Sequence, residues 1–275
     1  MIGMLRPRVI TGVIAAALVL WIVVAGGLAF VALVGIAVLL ITVELQGLMR
    51  LGRIPASLPV MVAGSLGFVV LESLNVHSGS IDYAIVLFLV MLAGHLLGGK
   101  MDGALVHPAA VFAGSLYAGM PLSQFIRIRN AVPDSVGLGI VMMVLVSVWA
   151  CDIAAYFVGS TWGRHKLCPV VSPAKSVEGA VAGLISAVLL PLAVNFVSAR
   201  FGLWYVFDPL RLAAFGLVIG LVAQIGDLIE SMFKRSVNAK DSGNILPGHG
   251  GLLDRCDSLI AASAVAHLAA VVFLV

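Results

Sequence analysis

Long apolar runs separated by short polar stretches dominate the sequence. A helix needs about 20 mainly apolar residues to cross a bilayer, and about nine runs approach that length. The candidate spans are Val9–Ala25, Leu28–Leu48, Leu58–Leu74, Tyr83–Leu97, Ala104–Met120, Val136–Val158, Val177–Val197, Leu212–Phe233 and Leu252–Val275. The pattern predicts an all-α, polytopic integral membrane protein with about nine transmembrane helices.

Two polar stretches interrupt the second half of the chain, at about 159–176 and about 234–251. Loops of that length without secondary structure are usually functional or disordered. We therefore expect amino-terminal transmembrane helices over residues 1–130. A second transmembrane region, over 131–275, would carry both polar loops and the candidate chemistry.

Composition agrees with a membrane protein, because only 11% of the 275 residues are charged and the mean hydropathy is +1.15. A soluble domain carries about 25% charged residues. The net charge of +3 is too small to indicate nucleic-acid binding. Cys151, Cys168 and Cys256 lack metal-ligand spacing and are expected to pack as small apolar side chains.

The basic residues predict the orientation. With the amino terminus in the cytoplasm, the spans place 12 Lys and Arg residues on the cytoplasmic side and 4 on the other side. Basic residues are enriched in cytoplasmic loops. The cytoplasmic set is Arg6, Arg8, Arg50, Arg53, Lys100, Arg164, Lys166, Lys175, Lys234, Arg235, Lys240 and Arg255, and the other set is Arg127, Arg129, Arg200 and Arg211. Both polar loops would then be cytoplasmic.

Acidic residues concentrate near the carboxyl terminus, where the segment 226–257 holds five of the thirteen acids. Asp227, Glu230 or Ser231, and Lys234 are spaced to share one face of a helix. Asp227 would lie roughly 10 Å deeper in the membrane than Lys234. A carboxylate at that depth requires a cation, a proton or a partner.

Asp254 and Asp257 are three residues apart at the start of the last run, so they share a helix face. One interpretation is helix capping together with ion pairs to Lys234, Arg235 and Arg255. The other is a joint site with Asp227, since three carboxylate ligands suit Mg²⁺. The glycine-rich loop before them could bring its backbone amides close to phosphate groups.

The middle polar loop carries a second set of candidates. Asp152 lies within an apolar helix, so it should face a partner or a cavity. Ser172, Lys175 and Ser176 stand just before a helix start, where an anion binds readily. An ordinary capped, positively charged loop is the alternative. Glu44, Glu72 and His95 are isolated in apolar runs and are expected to form interhelical hydrogen bonds or to lie at span ends.

The carboxyl-terminal motif resembles the signature of the phosphatidate cytidylyltransferase family, S-x-x-K-R-x4-K-D-x-G-x-x-L-P-G-H-G-G-x-x-D-R-x-D. It is nearly complete over the 27 residues from Ser231 to Asp257. Asp152, the segment from Ala155 to Gly159, and the segment from Ser172 to Gly179 are also similar to the family. The resemblance covers roughly residues 145–260.

The resemblance implies a membrane nucleotidyltransferase that converts CTP and phosphatidate into CDP-diacylglycerol and pyrophosphate. It also implies Mg²⁺, with room for a second cation, a homodimer, and a site open to cytosol and lipid in a bacterial inner membrane. The phosphatidate phosphate is already anionic, so no general base is needed. Metal ions and fixed cations would neutralise the phosphates.

On this basis each candidate residue receives an expected role. The metal ligands would be Asp227, Asp254 and Asp257, with Glu230 or Asp241 in support. The phosphates would be held by Lys234, Arg235, Lys240 and Arg255, with His249, Gly250 and Gly251 beside them. The nucleotide or the lipid headgroup would be held by Ser172, Lys175 and Ser176.

Three alternatives stay open from the sequence. A transporter or channel could use Asp152 and Asp227 as ion-pathway carboxylates, although the charges are predicted at helix ends rather than at mid-membrane. An enzyme of the CDP-alcohol phosphotransferase type would carry a D-G-x2-A-R motif, which the sequence lacks. A catalytically silent scaffold would not need the intact acids.

Overall fold

The computed structural model describes residues 5–76, 79–99, 101–131, 133–245 and 250–274. This part of the chain contains nine α-helices and one short two-stranded hairpin. The helices are α1 (Leu5–Ala25), α2 (Gly27–Leu51), α3 (Leu58–Ser73), α4 (Gly79–Leu97), α5 (Val106–Arg129), α6 (Asp134–Trp162), α7 (Val177–Phe201), α8 (Pro209–Ser236) and α9 (Leu253–Phe273). The all-α prediction is confirmed, and each predicted span corresponds to one helix.

Seven of the described helices, α2 and α4 to α9, are long and apolar enough to cross a membrane. The two others provide shorter apolar segments, Ile14–Ala25 and Leu58–Ser73. The seven longer helices, of 19 to 29 residues, fit the hydrocarbon thickness of a bilayer at about 1.5 Å per helical residue. The chain is a multi-pass membrane protein.

Local sequence explains several helix ends. Asp208 accepts a hydrogen bond from the Arg211 amide at 3.0 Å and is the N-cap of α8, which then begins with Pro209. Gly26 has a φ of +64° between α1 and α2, which is a conformation that glycine adopts without steric cost. Gly202 adopts the left-handed conformation that commonly ends a helix, here α7.

The middle loop contains a hairpin that the apolar pattern did not predict. Strand β1 (Lys166–Cys168) pairs antiparallel with β2 (Ser172–Ser176), and α7 starts at the next residue. The hairpin also packs against α6 and α8. It therefore holds the polar residues of the middle loop against the end of α8.

Helix packing joins the two halves of the chain. Helix α6 packs along α7, and α8 packs along both α7 and α9. Helix α5 packs against α2, α3 and α9, so it connects the amino-terminal helices with the carboxyl-terminal ones. Helix α6 is the most enclosed candidate span, whereas α4 is mostly exposed on the outside of the bundle. The division of the chain into amino-terminal helices over 1–130 and a catalytic transmembrane region over 131–275 stays a prediction.

Candidate functional site

The predicted polar stripe on α8 is present, because the helix continues without a break to Ser236. The Ser231 hydroxyl donates to Asp227 Oδ1 at 3.4 Å. One turn further, Lys234 Nζ lies 2.7 Å from Glu230 Oε2. The helical spacing alone aligns these groups, as the sequence indicated.

Lys234 links α8 to α9 through a second ion pair, 2.7 Å from Asp254 Oδ1. The Glu230 side chain is 0% exposed and that of Lys234 is 11% exposed. Removing charges from water is costly, so a buried cation between two carboxylates must stay paired. The ion-pair interpretation thus describes Glu230 and Asp254, with Lys234 as their shared cation.

The loop between α8 and α9, residues 237–252, is called the signature loop, and Asp254 also holds together its two described ends, 237–245 and 250–252. Its Oδ2 accepts hydrogen bonds from the Ser242 amide at 3.0 Å, the Ser242 hydroxyl at 3.0 Å and the Gly251 amide at 2.9 Å. Gly250, with a φ of +81°, directs the chain into this arrangement. Asp254 therefore organises the loop in addition to pairing with Lys234.

The middle loop meets the end of α8 at an ion pair. Lys175 Nζ, on β2, lies 2.6 Å from Asp227 Oδ2. The Ser176 hydroxyl accepts from the Gly179 amide at 3.1 Å and caps α7. Glu178 fastens the start of the hairpin by accepting from the backbone amides of Arg164 and His165. The hairpin thus packs beside the helix that leads into the carboxyl-terminal loop, and Arg235 at the end of that helix donates to the Val171 carbonyl at 3.4 Å.

Three carboxylates from three helices form an acidic group: Asp152 on α6, Asp227 on α8 and Asp257 on α9. Each lies close enough to the other two to interact electrostatically. Ser258 donates to two of them, through its hydroxyl to Asp152 at 3.2 Å and through its amide to Asp257 at 2.7 Å. Lys175 brings one positive charge to this group, so three ionised carboxylates would carry a formal negative charge in excess.

A cavity of about 280 Å³ opens beside the acidic group. Its walls come from α6, the hairpin, α7 and α8. The polar lining residues are Asp152, Tyr156, Ser160, Lys175, Ser176, Gln224 and Asp227. A concave site with a few convergent polar groups is typical of small-molecule binding.

The remaining predicted residues surround this centre on the surface. Arg235, Lys240, Asp241 and Arg255 are exposed. The Arg235 guanidinium donates to the backbone carbonyl of Ala239 at 2.9 Å, so it also supports the loop. Ser172 is half-buried at the start of β2, paired with Cys168 across the hairpin. His249 and the preceding residues 246–248 lie outside the described residues.

The residues fit a hard divalent cation by their chemistry, because carboxylate oxygens with excess negative charge are what Mg²⁺ prefers. The predicted carboxylate ligands are not, however, placed close enough together to coordinate one metal ion as they stand. Within the described ranges, no group of three or more His, Cys, Asp or Glu side chains is close enough to hold a metal ion. The four predicted ligands divide into Asp227 and Asp257 in the acidic group, and Glu230 and Asp254 on Lys234.

Sequence reasoning missed two residues at this site and gave Glu44 no part in it. Ser242 lies within the signature, but only the fold shows its use, through its contacts with Asp254 and Glu44. Gln224 precedes the polar stripe and donates to the Ala180 carbonyl at 2.9 Å beside the cavity. Glu44 was predicted to form an interhelical hydrogen bond or to lie at a span end, and it accepts from the backbone amides of Leu252 and Leu253 at the start of α9. Its only sequence signal is an acid in an apolar run.

These features define a class of protein: a polytopic membrane protein in which acids, lysines and a cavity lie close together on helices α6 to α9 and the hairpin. Comparison with known proteins makes the class specific. The profile of the cytidylyltransferase family matches residues 6–273. The chain belongs to the cytidylyltransferase family and is a membrane-embedded nucleotidyltransferase, which confirms the enzyme prediction.

Relatives from several bacteria agree with this assignment. The chain is 34% identical to the phosphatidate cytidylyltransferase of Bacillus subtilis (strain 168), over 93% of this chain and 94% of the relative. It is 32% identical to that of Staphylococcus aureus (strain COL), over 93% and 95%. It is 34% identical to that of Brucella suis biovar 1 (strain 1330), over 98% and 94%. The similarity therefore extends over nearly the whole chain, including the amino-terminal helices.

Proposed function

We propose that this protein transfers the cytidylyl group of CTP to phosphatidate, yielding CDP-diacylglycerol and pyrophosphate for phospholipid synthesis. The observation that carries the proposal is the ion pair between Lys175 and Asp227, which joins the hairpin of the middle loop to α8 beside a cavity. The names of the relatives supply the two substrates.

In the proposed reaction an oxygen of the phosphatidate phosphate attacks the α-phosphorus of CTP. The bond between that phosphorus and the oxygen bridging to the β-phosphate breaks, and pyrophosphate leaves. The attacking phosphate is already anionic, so no residue needs to remove a proton. The main obstacle is the repulsion between two polyanions, which fixed positive charges reduce.

The chain supplies these positive charges from both loops. Lys175 faces the cavity, and Arg235, Lys240 and Arg255 are exposed around the signature loop. We assign these four residues to the phosphates of CTP and phosphatidate. Lys234 is held between two buried carboxylates, so we assign it to positioning the helices. Ser176 caps α7 and places Lys175 at the cavity wall.

Mg²⁺ would be held by Asp227 and Asp257, with Asp152 beside them. The excess negative charge of this acidic group supports that choice. When bound, the ion supplies charge neutralisation on the phosphate oxygens. Asp254 then serves to fix the loop, and Glu230 to anchor Lys234. Asp241, exposed on the same loop, stays a candidate for supporting the metal or a second cation.

The location of the site suits a substrate that stays in the bilayer. The hairpin and the signature loop lie at helix ends, so a lipid headgroup can reach them without leaving the membrane. The excess of basic residues on that side supports a cytoplasmic amino terminus and cytoplasmic loops in a bacterial inner membrane. Assembly as a homodimer stays a prediction from the family resemblance.

The test is turnover of purified protein with CTP, phosphatidate in mixed micelles and Mg²⁺, followed by mass spectrometry of the lipid and by pyrophosphate release. We expect Asp227→Asn to lower turnover by at least about 10²-fold, because one transition-state charge contact is lost. Added Mg²⁺ should recover part of the loss. Asp254→Asn should lose as much turnover as Asp227→Asn does, because the substitution disorganises the signature loop. Added Mg²⁺ should not recover this loss.

The matched control is Asp208→Asn, at the opposite end of α8, where asparagine can still cap the helix. It should keep wild-type turnover. Wild-type protein that releases no pyrophosphate from CTP and phosphatidate would refute the proposed reaction. Near-normal activity of both Asp227→Asn and Asp254→Asn would refute the assigned roles.

A further inference from the structure

Glu44 is an acid from the amino-terminal half that is buried beneath the signature loop. It lies two-thirds of the way along α2, and only 4% of its surface is exposed. Its Oε1 accepts from the Leu252 amide at 2.9 Å, and its Oε2 accepts from the Leu253 amide at 2.7 Å. The first amides of a helix have no partner within the helix, so Glu44 caps α9 from a distant part of the chain.

Glu44 is also connected to Asp254 through Ser242. The Ser242 hydroxyl lies 3.2 Å from Glu44 Oε2 and 3.0 Å from Asp254 Oδ2. A hydroxyl donates one hydrogen, so at any moment it serves one of the two carboxylates. The serine therefore lies between Glu44 and the residue that binds Lys234. A displacement of Glu44 would therefore displace Ser242 and, through it, Asp254.

Two glycines of the signature leave room for Glu44. A Cβ added at Gly243 would lie 2.8 Å from Glu44 Oε1 and 3.0 Å from its Cγ. A Cβ added at Gly251 would collide first with Ser242 Oγ and would also lie 2.7 Å from Glu44 Oε2. Neither glycine has a positive φ, so steric space rather than backbone conformation requires glycine there. Part of the glycine-rich pattern thus accommodates a carboxylate of the protein itself.

We propose that Glu44 is a positioning residue for the nucleotidyl transfer: it holds the start of α9 and the signature loop in the geometry in which Asp254 and Asp257 act. The inference rests on the proposed function for the reaction it serves. It makes α2 part of the working site. Glu44 itself touches backbone amides and Ser242, and no role in contacting substrate is assigned to it.

The first test compares Glu44→Gln with wild type. The amide of glutamine would present a donor to backbone donors, so one of the two capping bonds is lost. We expect kcat to fall about 10²-fold, because a small displacement of the reacting groups costs that much in rate. KM for CTP should be nearly unchanged. Glu44→Asp keeps the charge at a shorter reach and should recover part of kcat.

The matched control is Glu72→Gln, another buried acid of the amino-terminal helices. Glu72 is buried and accepts from Ser80 on α4 at 2.5 Å and from Gln124 on α5 at 3.5 Å. It should lose some stability and retain kcat. Wild-type kcat in Glu44→Gln, or an equal loss of kcat in Glu72→Gln, would overturn the positioning role.

A second readout does not depend on turnover. Hydrogen–deuterium exchange of the peptide covering 242–253 should be about tenfold faster in Glu44→Gln, because the loop opens more often. Exchange in Glu72→Gln should match wild type over that peptide. If wild-type protein formed no CDP-diacylglycerol, the proposed reaction would fail while this measurement still decided the role of Glu44. Unchanged exchange in Glu44→Gln would overturn the inference.

A double-mutant cycle tests the steric link between Glu44 and Gly243. Gly243→Ala should lower kcat in the wild-type background, because the new methyl group displaces the carboxylate. In a Glu44→Ala background the same change should have little further effect, since the space is free. Additive effects of the two changes would show that the glycine is needed for another reason and would contradict the proposed contact.

Discussion

At the scale of single residues, the site is organised by shared partners. Lys234 serves Glu230 and Asp254, and Lys175 serves Asp227. The pairs Lys175–Asp227 and Lys234–Asp254 connect chain segments that are separate in the sequence, whereas Lys234–Glu230 lies within α8. Because the side chains of Glu230 and Asp254 are buried, the loss of Lys234 would leave them with most of the cost of burial. Pairing therefore fixes position as well as charge.

Replacing Lys234 tests this interpretation. Lys234→Met should lower the free energy of unfolding by about 3–5 kcal/mol, because Glu230 is left buried without its cation. The measurement is reversible unfolding, or the thermal midpoint, in one detergent for all variants. The exposed Lys240→Met should change stability by no more than about 0.5 kcal/mol. Equal stability of the two variants would show that Glu230 does not depend on Lys234.

At the scale of elements, the site depends on how closely α8 approaches α9. Gly226 lies one residue before Asp227, and a Cβ added there would stand 2.8 Å from the Asp257 carbonyl oxygen. The absence of a side chain lets the two helices approach at the level of the acidic group. The distance between Asp227 and Asp257 is therefore controlled by a residue that carries no chemistry.

Adding one methyl group at Gly226 should disturb this approach. Gly226→Ala should lower the free energy of unfolding by about 1–3 kcal/mol, the usual cost of overpacking, and should lower turnover as well. The control is Gly47→Ala on α2, where an added Cβ meets nothing within 4 Å. That change should be neutral or stabilise by up to about 1 kcal/mol, since alanine favours helix. Destabilisation by Gly47→Ala alone would contradict the packing argument.

At the scale of the whole molecule, the amino-terminal helices complete the site. Helices α2 and α5 pack against α9, and Glu44 reaches the signature loop from α2. The matching of relatives over nearly the whole chain agrees with this arrangement. The amino-terminal helices thus contribute to the site in addition to anchoring the protein in the bilayer.

The predicted orientation is tested by labelling single cysteines in a variant without Cys151, Cys168 and Cys256. Leu203→Cys, in the connection between α7 and α8, should react with a membrane-impermeant maleimide in intact cells. Ala174→Cys, exposed on the hairpin, should react only after lysis. The excess of basic residues on the hairpin side is the physical reason. The reverse labelling pattern would place the amino terminus outside.

The sequence by itself determined the membrane class, the helix count and the residues of the two polar loops. Apolar runs of bilayer length leave helices as the main solution, because backbone groups in lipid must be satisfied internally. The stripe from Asp227 to Lys234 also followed from helical spacing, since residues three and four apart must share a face. The many charged residues and glycines between Ser231 and Asp257 marked the signature as functional from the sequence alone.

Only the tertiary structure decided which of these residues meet. It divided the predicted metal ligands between the acidic group and Lys234, folded the middle loop into a hairpin, and brought Glu44 to a helix start 208 residues away. Such contacts depend on how helices pack across the bundle, and local periodicity carries no information about distant partners. A lone acid in an apolar run shows that a partner is needed, and only packing supplies it.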